Sequence, residues 1–421
     1  MNKKSVYNFT YRRGTNENVI YNTYSKALVV LNDDEYEQYE AMSFADAAIE
    51  QTLAENRILV DADFDEVAFM RYCHYRTKYA HEMLHLTIAP TTDCNFGCPY
   101  CYENRRAGKM SVEIQNAVIE FVRQSIAEGT KRLELTWYGG EPLLCTDIIE
   151  SMSRKILELA GQENCEVKMY IVTNGYLLTP QIVELLDEIG ILKVQITLDG
   201  LKEHHDARRH LRNGNGTFDK ILENLSLFED SPIHVDIRMN VDNENCDDYQ
   251  GLVRLIDSMG NPNISVYPSP VEDLNEDKIN EVSDFMTKGE FESFADRISK
   301  EMRHTDAATS VLDDRYCFCN AETENCYVVD ELGYFYKCWD QVGRKEYACF
   351  NVLSPNDRNY SNLTKFISWD PFTDESCGKC VFLPVCFGGC KFQRINKNKM
   401  ECGFSDKTMK AYIEDTFFDA I

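Results

Sequence analysis

The sequence predicts an α/β fold: a partial (β/α)6 TIM-like barrel, preceded by a winged-helix-like module and followed by a cysteine-rich module. Three observations predict it. Short apolar runs between residues 84 and 270 alternate with helical stretches, the mark of βαβ units around a parallel sheet. The length, 421 residues, exceeds one ordinary domain. Most of the 17 cysteines crowd into two regions, 94–101 and 317–402.

Residues 1–80 come first. "VIYNTYSKALVVLN" is alternating and rich in β-branched and aromatic residues, so it reads as strands. "DDEYEQYEAM" and "FADAAIEQTLAEN" read as short helices, "RILVD" as a strand and "DEVAFMRYCHYRTKYA" as a further helix. That mixture resembles a winged helix-turn-helix. The formal net charge of −26 disfavours nucleic acid or an anionic membrane as partner, because phosphate contacts need a basic face. A peptide is the better-matched ligand.

Residues 81–305 carry the barrel. "LHLTIAP", "RLELTWY", "VKMYIVT", "LKVQITLD", "IHVDIRMNV" and "NISVYPSP" are its strands. "SVEIQNAVIEFVRQSIAEG", "TDIIESMSRKILELAG" and "PQIVELLDEIG" are helices between them. A helical connector, "EDKINEVSDFMTKGEFESFADRISKEMRH", leads to residues 306–421. There apolar runs are few, and bound metal is expected to supply the missing folding free energy. No apolar stretch approaches the roughly 20 residues of a membrane span. The N-terminal "MNKKSVYNFTYRRG" lacks the apolar segment of a signal peptide, so the protein is expected to be cytoplasmic.

Cysteines in that compartment are more often metal ligands or catalytic groups than disulfides. "CNFGCPYC" places Cys94, Cys98 and Cys101 just after the first barrel strand, at the end where barrel chemistry sits. Three thiolates leave a four-ligand centre one ligand short. They fit either a zinc site completed from elsewhere or three irons of a [4Fe–4S] cluster whose fourth iron is open. "WYGGEPLL" offers Gly139 and Gly140 for close backbone approach and Glu141 as an acceptor, followed by Pro142. Thr173 and Asn174, and then Thr197 and Asp199, close two further strands. In the tail, "CGKCVFLPVCFGGC" orders Cys377, Cys380, Cys386 and Cys390, after Cys317, Cys319, Cys326, Gly333 and Cys338 and before Cys402.

With C-x-x-x-C-x-aromatic-C after the first strand and G-G-E-P after the second, the chain resembles the radical SAM enzymes. Its tail resembles the SPASM domain, which carries auxiliary iron–sulfur clusters. The resemblance implies three [4Fe–4S] clusters and S-adenosylmethionine, which chelates the open iron and is cleaved to a 5′-deoxyadenosyl radical. It implies cofactor contacts from Tyr100, Gly139, Gly140, Glu141, Pro142, Thr173, Asn174, Thr197, Asp199, Arg209 and Asn240. Arg209, in "HHDARRHLRNGNGTF", is given the cofactor carboxylate, with Arg208 as its rival. Cys377, Cys380, Cys386 and Cys402 would hold the outer auxiliary cluster. Cys319, Cys338 and Cys390 would hold the inner one, its fourth ligand being Cys317 in preference to Cys326.

Enzymes with this tail mostly modify peptides. One branch, the sulfatase-maturing enzymes, commonly has an Asp directly after the inner-cluster Cys; here Trp339 stands there, with Asp340 one residue later as the candidate base. The expected function is therefore maturation of a ribosomally made precursor peptide by a Cys thioether of the sactipeptide or ranthipeptide type. Residues 1–80 are expected to act as a RiPP recognition element, capturing the peptide leader at a sheet edge within Val19 to Leu31. Flavodoxin or ferredoxin is the expected electron donor. Formylglycine formation, carbon–carbon crosslinking and epimerisation are the alternative chemistries. An iron–sulfur electron carrier is the non-enzyme alternative.

Overall fold

The computed structural model of the protein describes residues 1–271, 285–301, 316–396 and 402–418. Part of the expected connector helix therefore lies outside the described residues; its end is helical as Lys288–Glu301. The chain divides into two compact units. Met1–Ala80, Thr309–Glu324 and Lys365–Ile421 form one, and His81–Ala308 with Asn325–Thr364 the other.

In the first unit the strands are β1 (Asn2–Lys4), β2 (Asn8–Arg13), β3 (Glu17–Asn22), β4 (Leu28–Leu31) and β5 (Leu59–Asp61). β2, β3 and β4 form an antiparallel sheet in that order, and β1 pairs with β5. The central β3 is buried along most of its length: Val19, Ile20 and Tyr21 are inaccessible to solvent. Helices Asp33–Ala41, Ala47–Glu55 and Glu66–Lys78 begin at Asn32, Asp46 and Asp65, whose side chains accept from backbone N–H groups of the first turn. Phe9, Val19 and Tyr21 share a core with Phe382, Val385, Met409 and Ile413 near the C-terminus. Tyr7 and Met70 likewise pack with Cys377, Leu383 and Phe387. The N-terminal residues thus supply apolar cover to the tail cysteines.

The second unit is built on β6 (Met83–Ile88), β7 (Arg132–Trp137), β8 (Glu166–Thr173), β9 (Ile191–Thr197), β10 (His234–Val241) and β11 (Ile264–Pro270). These are the six expected strands, and neighbours pair in parallel. Helix Val112–Ala127 starts at the Ser111 cap and buries Ile114, Val118, Val122 and Ile126, one per turn. Three strands of the tail extend the sheet: β12 (Cys326–Val329), β13 (Tyr334–Tyr336) and β14 (Phe350–Asn351). β12 runs parallel to β6, and β13 and β14 continue antiparallel, giving nine strands in the order β11-β10-β9-β8-β7-β6-β12-β13-β14. Apolar packing therefore holds part of the tail where metal alone was expected to do so: Tyr327, Phe335 and Phe350 pack on Phe121 of helix Val112–Ala127. Among the described residues no helix is long and apolar enough to cross a membrane.

Candidate active site

At the C-terminal ends of the strands lies a cavity of about 320 Å³. Cys94, Cys98 and Cys101 line it together with Tyr100, Gly139, Gly140, Thr173, Asn174, Thr197, Arg209, Asn240 and Asp340. Twelve of the residues singled out in the sequence thus meet around one space. Among the described residues the lining supplies three thiols and no imidazole.

The loop bearing the thiols is fixed from below. Gly139 has φ +114°, and a Cβ there would sit 2.2 Å from the Thr91 carbonyl oxygen. A Cβ on Gly140 would sit 2.3 Å from the Asp93 carbonyl oxygen. Their close approach, expected toward a ligand, is made to the backbone leading into Cys94. The Gly140 and Glu141 N–H groups donate to Thr91 and Asp93 carbonyls at 3.2 and 2.9 Å. Glu141 itself is fully buried and outside the lining. Its carboxylate accepts from Thr173 Oγ1 at 2.7 Å, from the Asn174 N–H at 2.8 Å and from the Leu143 N–H at 3.0 Å. It ties the ends of β7 and β8 together, and Pro142 opens the short turn Pro142–Cys145 that follows.

Polar groups face one another beneath the opposite wall. Tyr100 donates to the fully buried Asp199, which lies behind the lining. The Tyr100 hydroxyl accepts from Arg209 Nη1 at 2.7 Å and from Asn240 Nδ2 at 3.3 Å. Of the rival arginines, Arg208 is engaged with Asp242 at 2.6 Å and Asp199 at 3.6 Å, away from the lining. Arg209 faces the cavity, and its buried Nε has no partner. The remaining "HHDARR…GTF" residues build the local turn. Asp206 accepts from the Thr217 and Phe218 N–H groups at 2.7 and 2.9 Å, and a Cβ on Gly216 would strike that carboxylate.

Sequence reasoning missed the aromatic and acidic side of the cavity: Tyr102, Glu103, Tyr138 and Trp339. Tyr102 and Tyr138 share a hydroxyl–hydroxyl hydrogen bond, and Trp339 packs on Tyr138 with ring centroids 4.5 Å apart. Burial pushes the Glu103 carboxyl up to about 7. Cys338 Sγ donates to Asp340 Oδ2 at 3.5 Å. The position of Tyr102 and Glu103 directly after Cys101 was the available signal.

The thiols suit a cluster whose iron core is cationic. Burial, then Glu141, then Cys98 push Cys94 up to about 12, and burial raises Cys98 as well. Thiolates this dry need positive charge beside them, which iron would supply. Arg105 adds some, its Nη1 donating to the Phe96 carbonyl at 2.6 Å within the loop. The loop end is clamped by Arg106, which meets Asp330 at 3.0 Å and Glu331 at 2.9 Å in the β12–β13 turn.

The tail cysteines divide between the units. Cys326 sits in β12, buried, in register with His85 of β6. Cys338 follows β13 in the same unit. Cys317 and Cys319 belong to the other unit, with Cys377, Cys380, Cys386, Cys390 and Cys402. Cys317 Sγ lies 3.6 Å from Nδ1 of His74, a residue the sequence did not mark. His74, Cys317 and Glu322 place their ligand atoms within 4.8 Å of one another. A divalent cation does not suit them, because burial has already enclosed two ammonium groups here: Lys391 lies 3.3 Å from Glu322, and Lys78 acts on both Cys317 and Glu322.

The model of the radical SAM superfamily matches residues 88–256. The chain is 25% identical over 343 residues to a cysteine-type anaerobic sulfatase-maturating enzyme of Clostridium novyi (strain NT), covering 73% of this chain and 88% of that one. The fold resembles native anSMEcpe with bound AdoMet and Cp18Cys peptide, at TM-score 0.62 and 19% identity over 80% of this chain and 98% of that one. It also resembles Streptococcus suis SuiB bound to precursor peptide SuiA, at TM-score 0.54 and 16% identity over 93% of this chain and 95% of that one.

Proposed function

We propose that the protein, whose residues 88–256 match the radical SAM superfamily, matures a ribosomally made precursor peptide by installing a thioether between a substrate Cys and a nearby carbon. One observation carries the reading: three loop thiols open onto a cavity whose lining, among the described residues, offers no fourth thiol or imidazole. A peptide substrate is supported by the relatives, one named for maturing sulfatases and one bound to a precursor peptide. A [4Fe–4S] cluster on Cys94, Cys98 and Cys101, with S-adenosylmethionine on its open iron, supplies a 5′-deoxyadenosyl radical when bound.

The chain's own residues do the rest. Arg209, with its bare Nε, is suited to a carboxylate, and Asn174, Thr173, Thr197 and Asn240 offer polar contacts along the lining. Tyr102, Tyr138 and Trp339 form an apolar wall against which a reacting side chain is held away from water. Asp340 is the proposed acceptor of the substrate thiol proton. The tail cysteines are proposed to hold two further [4Fe–4S] centres, one of them on Cys377, Cys380, Cys386 and Cys402. Flavodoxin or ferredoxin is the proposed electron donor.

Leader capture is proposed for residues 1–80. Val19–Asn22 lie in the central strand β3, and among the described residues β4, Leu28–Leu31, is the outer strand within the expected region. A second reading, oxidation of a substrate Cys to formylglycine, is favoured by the presence of Asp340 in the lining.

The anaerobically reconstituted chain, S-adenosylmethionine, a reductant and a candidate Cys-rich peptide test both readings by iodoacetamide labelling and mass spectrometry. A thioether loses two hydrogens and one alkylatable thiol per crosslink. Loss of two hydrogens with every thiol still free points to carbon–carbon or dehydro chemistry, deuterium uptake without mass loss in light water to epimerisation, and exchange of sulfur for oxygen together with loss of two hydrogens to formylglycine. Zinc alone on the 94–101 loop, without release of 5′-deoxyadenosine, removes the enzyme reading.

A further inference from the structure

The tail unit contains a cation placed directly on a thiol that the proposed function assigns to iron. Arg394 Nη2 donates to Cys377 Sγ at 3.2 Å. The rest of its fork is fully engaged: Nε donates to the Gly388 carbonyl, and Nη1 lies 3.6 Å from Asp374 Oδ2. The guanidinium also stacks on Trp369, 4.9 Å from the ring centroid. A Cβ on Gly388 would strike the same ring, 2.2 Å from its Cη2, so Gly388 is what allows Trp369 to lie there. Four separate contacts hold one charge in one place, and the Arg394 side chain is only 9% exposed.

Cys377 has the company a cluster ligand needs. It is buried, packed with Leu383 and Phe387, and Cys386 is buried too. A Cβ on Gly403, the residue after Cys402, would lie 3.5 Å from Cys386 Sγ. A tetrathiolate iron–sulfur centre is anionic, and reduction makes it more so. Hydrogen bonds and positive charge at its sulfurs stabilise the reduced form. Asp374 carries an opposing charge beside Arg394. Its Oδ1 accepts from the Cys377 N–H at 2.9 Å and the Ser376 N–H at 3.0 Å, while Oδ2 faces Arg394.

We infer that Arg394 is a positioning residue that raises the reduction potential of the iron–sulfur centre held by Cys377, with Asp374 offsetting part of its charge. This rests on the assignment of Cys377, Cys380, Cys386 and Cys402 to one centre. A centre biased in this way takes up an electron more readily, as oxidative peptide modification requires of an acceptor.

The test is a potentiometric titration followed by electron paramagnetic resonance on full-length chain in a Cys98→Ala background, which silences the barrel centre. The wave that disappears in Cys377→Ala/Cys386→Ala is the one to read. If that double variant loses neither iron nor a wave, the assignment of the centre fails, and not the tuning. Arg394→Gln is expected to keep its iron and shift that midpoint to more negative potential, leaving any other wave in place. Asp374→Asn keeps an oxygen for the two N–H groups and is expected to shift the midpoint the opposite way. Arg394→Gln with full iron and an unmoved midpoint overturns the inference. If Arg394→Gln loses iron, Asp374→Asn decides: an unmoved midpoint or lost iron there leaves Arg394 a purely structural role.

Discussion

Cys98 separates the barrel centre from the tail most cleanly. Losing one of three thiols from the loop is expected to abolish 5′-deoxyadenosine release in Cys98→Ala, with the tail iron largely retained. Iron per chain and chromatography of the cleavage product measure both; uniform iron loss means the centres are not independent. His205 makes a different prediction. Burial, then Arg209 and Arg208, holds this imidazole well below the usual range; Nδ1 accepts from the Asp199 N–H at 3.2 Å, and Nε2 meets Thr217 Oγ1 at 3.0 Å. The unfolded chain binds a proton at an ordinary His pKa that the folded chain refuses. The stability this site contributes is therefore intact above about pH 6.5 and falls as the pH drops below it, by up to about 1.4 kcal/mol per pH unit. Denaturation of wild type and His205→Gln across that range checks it: the variant's stability should fall less steeply on acidification. At this scale the cysteine spacing was legible, because three thiols on one short loop reach a common space. The role of Glu141 was not, since G-G-E-P does not say that Thr173 and Asn174 will occupy both of its oxygens.

At the scale of elements, the six barrel strands were legible because each carries apolar residues at every second position over six or more residues, a period distinct from that of the neighbouring helices. The tail strands were not. β12 and β13 are "CYVV" and "YFY", too short for periodicity to speak, and β6, the partner of β12, is remote in sequence. The same limit hid which strand of residues 17–31 is an edge, because alternation reveals a strand but not its neighbours. The tail hairpin depends on Phe335, which is inaccessible to solvent and stacks on Phe350 at 4.5 Å and on Phe121 at 4.9 Å. Phe335→Ala is expected to cost about 3–5 kcal/mol. Because Trp339 follows four residues later in the cavity wall, the product yield should fall further than the melting temperature alone explains, which a parallel assay at low temperature would show. Wild-type yield from a destabilised variant would mean the wall does not depend on the hairpin.

At the scale of the molecule, residues 1–80 and the tail cannot be treated as independent attachments. Removing residues 1–80 takes Phe9, Val19 and Tyr21 away from Phe382, Val385, Met409 and Ile413, and Tyr7 and Met70 away from Cys377. The truncated chain is expected to lose tail iron and leader affinity together, while uncoupled cleavage of S-adenosylmethionine at the barrel persists. Iron content and peptide-binding titrations measure this, and a truncation that retains its tail iron would assign residues 1–80 to peptide capture alone. The pairing of β12 with β6 also imposes an order on synthesis. β6 emerges from the ribosome about 240 residues before the strand that covers its open side. At roughly 5–20 residues per second, that flank of the nascent sheet waits tens of seconds unpaired. An apolar strand edge left open that long is a template for pairing with another chain. The yield of soluble protein should therefore depend on translation rate and chaperone supply during that interval, even where the finished sheet is stable.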